Sequence, residues 1–386
     1  MRFFFTLILI TIPIFVIGQV AFYNYGELKL HDEASIGFHT DFINDGNLDN
    51  NNRGLAGFYN SDDEIINVSG KNKAVFYDLD IDAIGDVNLN TSVGVSNNMS
   101  FVNGKVYTPR EDTSISLHFI NSNLYVGEDN LRFVDGCVSE TGLSSFKFPV
   151  GDNNKLRPLH ISTKTPTDTY TVAYYFSNPN SPPISFAESF LTSKKQVLID
   201  KISSVEFWYL DGNLKATATL TWDADSEINS INSNIELLRV VGWSKAESKW
   251  VNLGKSKVSG TANSGELTSN AFIPNKYTII TIGSEFSEDE LGSTNLIITP
   301  NGDGLNEALT FKNLDAYTSN KLSIYNRYGN KIFETNDYKN DWSGVSEGRI
   351  TVAKQTNLPA GTYFYILELK NKDSSKTQNG WLYINK

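Results

Sequence analysis

The chain has 386 residues with 40% hydrophobic and 20% charged, a balance of folded rather than disordered material and length enough for two or three cores. A formal net charge of −11 sets it against nucleic acid and anionic lipid surfaces as partners. A single cysteine, Cys137, excludes an intramolecular disulfide framework, and its apolar neighbours in "LRFVDGCVSE" predict a small buried side chain.

Residues 1–18 read as a signal peptide. Met1 and Arg2 give a short positive start, "FFFTLILITIPIFVIG" is the apolar stretch, and Val16 and Gly18 are small enough for cleavage before Gln19. Polar sequence follows at once, which argues for a removed leader rather than a membrane anchor. Losing Arg2 makes the chain more acidic still, and the absence of a cysteine at the cut argues against a lipoprotein.

Residues 19–155 are predicted to form a β-solenoid-like domain. From Val75 the chain reads "VFYDLDIDAIGDVNLNTSVGVSNNMSFVNGKVYT", in which Tyr77, Leu79 and Ile81 alternate with Asp78, Asp80 and Asp82. Short apolar pairs then recur between Asn and Gly, the pattern of stacked β-rungs. A β-sandwich built from the same strands is the alternative. The aspartate triple does not read as a calcium loop, because Ala83 and Leu89 stand where a glycine and a carboxylate are needed. On an extended strand the three carboxylates share the solvated face.

Residues 156–284 change style. "YTVAYYF" is a strand and "SNPNSPPISFAES" a connection. "SVEFWYLDG", "KATATLTWD", "IELLRVVGWS", "KWVNLG" and "KYTIITIG" then predict an antiparallel β-sandwich. Trp208, Trp222, Trp243 and Trp250 read as core, with a sugar-stacking surface as the functional alternative. Residues 285–293 lie in acidic "SEFSEDELGS", a linker.

Residues 294–386 hold further short strands: "LIITP", "LTFKNL", "KLSIYNR", "NKIFET", "TYFYILEL" and "GWLYINK". Gly329-Asn330 marks a tight hairpin, "LPAGTY" is a turn feeding a strand apolar on both faces, and the whole predicts an Ig-like sandwich. The fold class is therefore all-β throughout.

This last segment resembles the gliding motility-associated C-terminal domain, the type B sorting domain of Bacteroidetes proteins exported by the type IX secretion system. The opening loop is Thr299, Pro300, Asn301, Gly302, Asp303, Gly304, Leu305 and Asn306. "LSIYNRYGNKIFE" follows with Tyr325, Arg327 and Gly329, then Tyr338, Asp341, Trp342 and Gly344. Leu358, Pro359, Ala360, Gly361, Thr362, Tyr363 and the closing "GWLYINK" complete the series. The departures are Glu307 in place of Asp, Tyr328 in place of Trp, Ser343 in place of Asp, and a long "VSEGRITVAKQTN". Upstream, "LRFVDGCVSETGLSSFKFPVGDNNKLRPLHIS" is similar to a passage in surface proteins of the same bacteria, where β-rungs lead through a Phe-Pro-Val-Gly turn into a sandwich.

The resemblance implies export through the periplasm to the cell surface or extracellular space, and recognition of a folded surface by the type IX translocon. It also implies a PorP/SprF-type outer-membrane barrel protein as the partner that retains the chain. The opening loop has a calcium reading as well. Asn301 and Asp303 offer oxygens at i, i+2, and Asn306 and Glu307 complete a ring with backbone carbonyls; Leu305 stands where a third side-chain ligand is expected. The other reading is of turns capped by Asn and Asp, with positive φ at Gly302 and Gly304.

Catalytic patterns are absent from the sequence. His31, His39, His118 and His160 are scattered among strands, and there is no nucleophile elbow, phosphate loop or Cys-x-x-Cys. Asp62, Asp63 and Glu64 form a polar acidic loop rather than a glycosidase pair. The expectation is a non-enzymatic surface protein, an adhesin or binding module with an extracellular glycan or protein ligand. The alternatives are an accessory subunit of the translocon or gliding machinery, and a secreted glycan-active or carbohydrate-binding protein.

Overall fold

The structure, a computed structural model, describes residues 21–122, 124–196, 199–286, 295–346, 357–370 and 375–385. The signal-peptide and linker expectations fall on residues 1–18 and 285–293, outside the described residues apart from 285 and 286. Among the described residues the regular secondary structure is almost wholly strand, with only a few short helical turns, as the alternating pattern predicts.

The first part is a solenoid. In chain order its strands are β1 (Ala21–Asn24), β2 (Ser35–Phe38), β3 (Asp41–Asn44), β4 (Leu55–Asn60), β5 (Ile66–Ser69), β6 (Ala74–Ala83) and β7 (Val87–Leu89). There follow β8 (Val93–Asn103), β9 (Val106–Tyr107), β10 (Leu117–Ile120), β11 (Leu124–Val126), β12 (Val134–Asp135) and β13 (Val138–Thr141). Alternate strands stack into two parallel sheets. One runs β1-β3-β5-β7-β9-β12, the other β2-β4-β6-β8-β10-β13, with β11 pairing beside β8. Each rung hands its apolar positions to the same interior row, so identical residue types pile up. Phe38 meets Phe42 at 4.6 Å and Phe58 at 5.3 Å, and Phe58 meets Phe76 edge-on at 6.0 Å. Burying each such ring is worth roughly 1.5–3 kcal/mol.

A polar ladder runs through the same interior. The Asn24 amide donates to Asn44 Oδ1 at 2.7 Å, and Asn44 donates in turn to the Asn72 carbonyl at 3.0 Å, with Asn44 fully buried. A parallel coil repeats the turn in register, so on these first rungs the amide of one turn finds its acceptor on the next.

Parallel stacking ends at β15 (Val150–Asp152), which pairs with β12. After β14 (Ser145–Phe148) come β16 (Lys155–Leu156), β17 (Leu159–Thr163) and β18 (Thr169–Tyr175). Here pairing turns antiparallel: β13 with β18, β14 with β17, β15 with β16. Arg110 pins this closure. Its guanidinium donates to Asp135 at 2.6 Å and to the carbonyls of Tyr174 and Gly151, and lies 4.6 Å over the Tyr175 ring. Cys137 beside it is fully buried, and burial pushes its thiol up to about 12, which leaves it protonated and inert.

Contacts group Met1–Phe176 with Trp208–Ala216 and Ile273–Asn275 in one compact unit, and Ser177–Phe207, Thr217–Phe272 and Lys276–Lys386 in a second. In the first, Trp208 is buried and its indole donates to the Arg157 carbonyl at 3.2 Å. In the second, β19 (Ile199–Ile202), β22 (Leu238–Ser244), β23 (Lys249–Asn252) and β26 (Tyr277–Glu285) form one antiparallel group. The strands β21 (Ala216–Trp222), β24 (Lys257–Thr261) and β25 (Ser264–Thr268) form another; β20 (Phe207–Asp211) lies next to β18. Trp243 and Trp250 meet edge-on at 5.8 Å, and Trp222 donates to the Thr261 carbonyl at 2.8 Å. All of these tryptophans are 0–2% exposed, so they are core, and the sugar-stacking alternative for them is excluded.

The C-terminal strands are β27 (Asn295–Ile298), β28 (Ser319–Tyr325), β29 (Lys331–Asn336), β30 (Gly361–Lys370) and β31 (Ser375–Ile384). They form one five-stranded sheet in the order β27-β31-β30-β28-β29, parallel only between β27 and β31. Its inner face, with Leu322, Ile324, Tyr365, Leu367 and Leu382, is covered by Leu309, Phe311, Tyr338, Trp342 and Leu358 from the connecting segments.

Candidate functional site

The motif residues of the C-terminal segment separate into three groups: a loop, an inner face and an outer face. In the loop, the Asp303 N–H donates to Asn301 Oδ1 at 3.0 Å and the Leu305 N–H to Asp303 Oδ1 at 2.8 Å. These are successive Asx turns. The Asn301 amide donates to Asp303 Oδ2 at 3.0 Å, and the Gly304 N–H to Glu307 Oε1 at 3.2 Å. Gly302, Gly304 and Asn306 take φ of +81°, +83° and +53°, which explains glycine at the first two positions. The Leu305 N–H, and after it the Asn301 amide, hold the Asp303 carboxyl below its usual range. The N–H of Thr299 reaches the Asn306 carbonyl at 2.8 Å and closes the loop.

Of the four residues read as cation ligands, Asn301, Asp303 and Glu307 each have a side-chain oxygen already accepting from an N–H, and Asn306 gives the loop its carbonyl bond to the Thr299 N–H. Among the described residues no group of three or more His, Cys, Asp or Glu is placed to hold a metal ion.

The inner face explains a second set of motif residues as architecture. The Tyr338 hydroxyl donates to the Leu309 carbonyl and accepts from the Trp342 N–H at 3.0 Å; the Trp342 indole donates to the Val345 carbonyl at 2.8 Å. Burial, ahead of the neighbouring Asp341 charge, pushes the Tyr338 phenol well above its ordinary value. Gly344, at φ +81°, accepts from the Leu358 N–H at 2.8 Å. Pro359 accepts from the Tyr363 hydroxyl at 2.9 Å, so the turn of Pro359, Ala360, Gly361 and Thr362 is fastened to the strand it feeds.

The outer face carries the surface chemistry. Cross-strand register places Tyr325, Phe364 and Trp381 in one row over β28, β30 and β31, and Ile297 beside Tyr383 over β27 and β31. Ile297 is 59% exposed, Phe364 46%, Trp381 40% and Tyr383 39%, a concentration of apolar surface unusual for a solvated sheet face. A groove of about 640 Å³ runs here, lined among others by Tyr325, Arg327, Gly329, Phe364 and Trp381. At its rim the Arg327 guanidinium lies 4.8 Å over the Tyr328 ring and donates to its hydroxyl at 2.7 Å. The hairpin that presents these residues is the predicted one: Asn326 accepts from the N–H groups of Tyr328 and Asn330, and Gly329 takes φ +77°.

Tyr325, Arg327 and Gly329 were therefore legible as motif residues and come together at the groove. Phe364, Trp381, Tyr383 and Ile297 were not singled out; their signal was a closing strand pair apolar on both faces. The histidines stay apart. His118 contacts Lys73 and Thr141, His160 contacts Ser145, and His39 lies beside the Tyr59 ring.

Residues 291–384 match the family model of the CHU_C Type IX secretion signal domain. Comparison with curated proteins finds no match, and comparison with solved structures finds none. The chain thus carries a type IX secretion signal domain, which implies interaction with the type IX machinery and export to the cell surface or extracellular space.

Proposed function

We propose that the protein is a non-enzymatic binding module or adhesin held at the outer membrane by its C-terminal sheet. The observation that supports this reading is the pairing of a secretion signal domain with a solenoid whose rungs present long, regular outer rows. A solenoid of this kind offers extended surface rather than an enclosed reaction site. The signal peptide at residues 1–18 delivers the chain to the periplasm, and the folded C-terminal domain is then recognised. Its exposed Phe364, Trp381, Tyr383 and Ile297, with half-buried Tyr325 in the same row, supply the apolar centre that an interface needs, and Arg327 the polar rim. The retaining partner on this reading is a PorP/SprF-type barrel.

Deletion of residues 291–386 tests it. Surface display is expected to disappear, and a truncated chain reaching the surface in normal amount overturns the reading. Pull-down in mild detergent tests the retaining partner. A barrel alone is the expected catch, whereas co-purifying motility or translocon components would move the protein to an accessory subunit.

A further inference from the structure

The outer face of the second solenoid sheet carries a feature that export does not use. Along β4 and β6 the register opposes Leu55 to Asp78, Gly57 to Asp80 and Tyr59 to Asp82, and β8 continues these rows with Asn98, Ser100 and Asn103. On β2, Gly37 lies beside Gly57. The Tyr59 ring does not stand off the sheet. A Cβ on Gly57 would fall 2.2 Å from Tyr59 Cζ, and one on Gly37 would fall 3.1 Å from Tyr59 Cδ2. The ring therefore lies down over two bare backbones, and its hydroxyl reaches Asp80 Oδ2 at 3.4 Å rather than its register partner Asp82. The His39 ring continues the platform on the neighbouring rung, 5.8 Å away at 32°.

Beside this flat ring stand hydrogen-bonding groups at the regular intervals of a strand. Asp78 accepts from Asn97 at 2.7 Å and Asp82 from Asn103 at 2.6 Å, which orients both carboxylates. Salt bridges among the described residues leave Asp78, Asp80 and Asp82 without a cationic partner. At the far end of the same rows, on β11, Leu124 and Val126 are 56% and 58% exposed. A flat aromatic ring, oriented acceptors and an aliphatic margin match a molecule with apolar CH faces and a hydroxyl- or amino-bearing edge. The unpaired carboxylates and the acidic chain exclude a polyanion.

We propose that this face binds a polysaccharide free of anionic groups, with the Tyr59 ring stacking on a sugar face and Asp78, Asp80 and Asp82 accepting from its hydroxyl or amino groups. The proposal deepens the binding-module reading by naming its ligand class and site. Its test needs no export, so failure of one is distinguishable from failure of the other.

The test uses the mature full chain and three probes: a chito-oligosaccharide with free amino groups, its N-acetylated form, and alginate. Calorimetric titration is expected to show binding of the first, tighter than the second and weakened by salt, and none of the third. Equal affinity for the first two makes the ring dominant and keeps the site. Tyr59→Ala and Asp80→Asn should each lower affinity at least about tenfold. Tyr59→Phe, which keeps the ring, should retain most of it, and unchanged melting temperatures show that the fold survives. Absence of binding to both chito-oligosaccharides, preferential binding of alginate, or undiminished affinity in Tyr59→Ala with Asp80→Asn overturns the proposal.

Discussion

The solenoid and the C-terminal sheet each leave one strand face open, and they fill it with opposite chemistry. The solenoid face is a ring laid flat among carboxylates and amides; the C-terminal face is a row of partly exposed aromatics with an arginine at its rim. The difference follows from pairing. In the parallel coil inward positions stack on inward and outward on outward, so polar side chains of neighbouring rungs gather on one face, and amides on successive rungs can satisfy one another. In the antiparallel sheet unlike positions are brought opposite, and register alone gathers Tyr325, Phe364 and Trp381 from three separate strands. A repeat builds a surface by repetition, an antiparallel sheet by convergence.

Substitutions can break this comparison. The largest effect is expected at the inner faces: Phe58→Ala in the solenoid and Trp342→Ala in the C-terminal sheet should each cost about 3–5 kcal/mol, read by denaturant unfolding. Only Trp342→Ala is expected to stop surface display by unfolding the signal domain. Next comes Asn44→Ala, which leaves the Asn24 amide only its longer bond to the Asn47 carbonyl, takes the Asn44 donor from the Asn72 carbonyl, and should cost about 1–3 kcal/mol.

The outer faces should behave differently. Phe364→Ser with Trp381→Ser is expected to change stability by no more than about 0.5 kcal/mol per site while lowering surface display about tenfold. Equal display in that variant would separate the aromatic face from export. Calcium sharpens the loop: a rise in the melting temperature of the protein at millimolar ion, abolished by Asp303→Asn, is the outcome if Asn301, Asp303, Asn306 and Glu307 hold the ion. A melting temperature indifferent to calcium leaves the loop as turns.

The smallest effects are in pH. Burial, ahead of the Lys73 charge, lowers His118 from 6.5 to about 4, so its folded form is neutral and its contribution is lost as pH falls from 6.5 towards 4. Burial raises Glu140 from 4.5 to about 7, opposed by the Leu143 N–H it accepts from, so its contribution is lost as pH rises from 4.5 through 7. Glu140→Gln should flatten the alkaline limb of a melting-temperature profile, and His118→Gln the acid limb.

Much of the fold was legible from period and punctuation. Leu79 and Ile81 alternating with Asp80 and Asp82 do point in and out as the pattern predicts, and the turn at Gly329-Asn330 is where its residues place it. The motif positions of the C-terminal segment were legible too, because they stand in order along the chain. What was not legible is what pairing across distance creates. A bulge between Phe76 and Asp78 shifts the register of β6 against β8 and turns Tyr77 out of the alternation, where it meets Arg53 at 5.0 Å. Asn44 and Asn72, or Arg110 and Tyr174, have no local signal of their meeting.

Read alone, the sequence specified an all-β chain, favoured rungs over a sandwich for its first part, and carried the motif of a type IX secretion signal domain in its last. Those properties live in local alternation, turn residues and an ordered motif. The tryptophans read as core from the sequence are core in the fold, but which rings come to lie on an outer strand face was set by tertiary pairing. The large tryptophans of the middle strands are sealed inside, whereas Tyr59 lies half-buried across the outer sheet face because Gly57 and Gly37, two and twenty-two positions before it along the chain, leave room for it. That outcome depends on strands meeting in register, and register is a property of the folded chain.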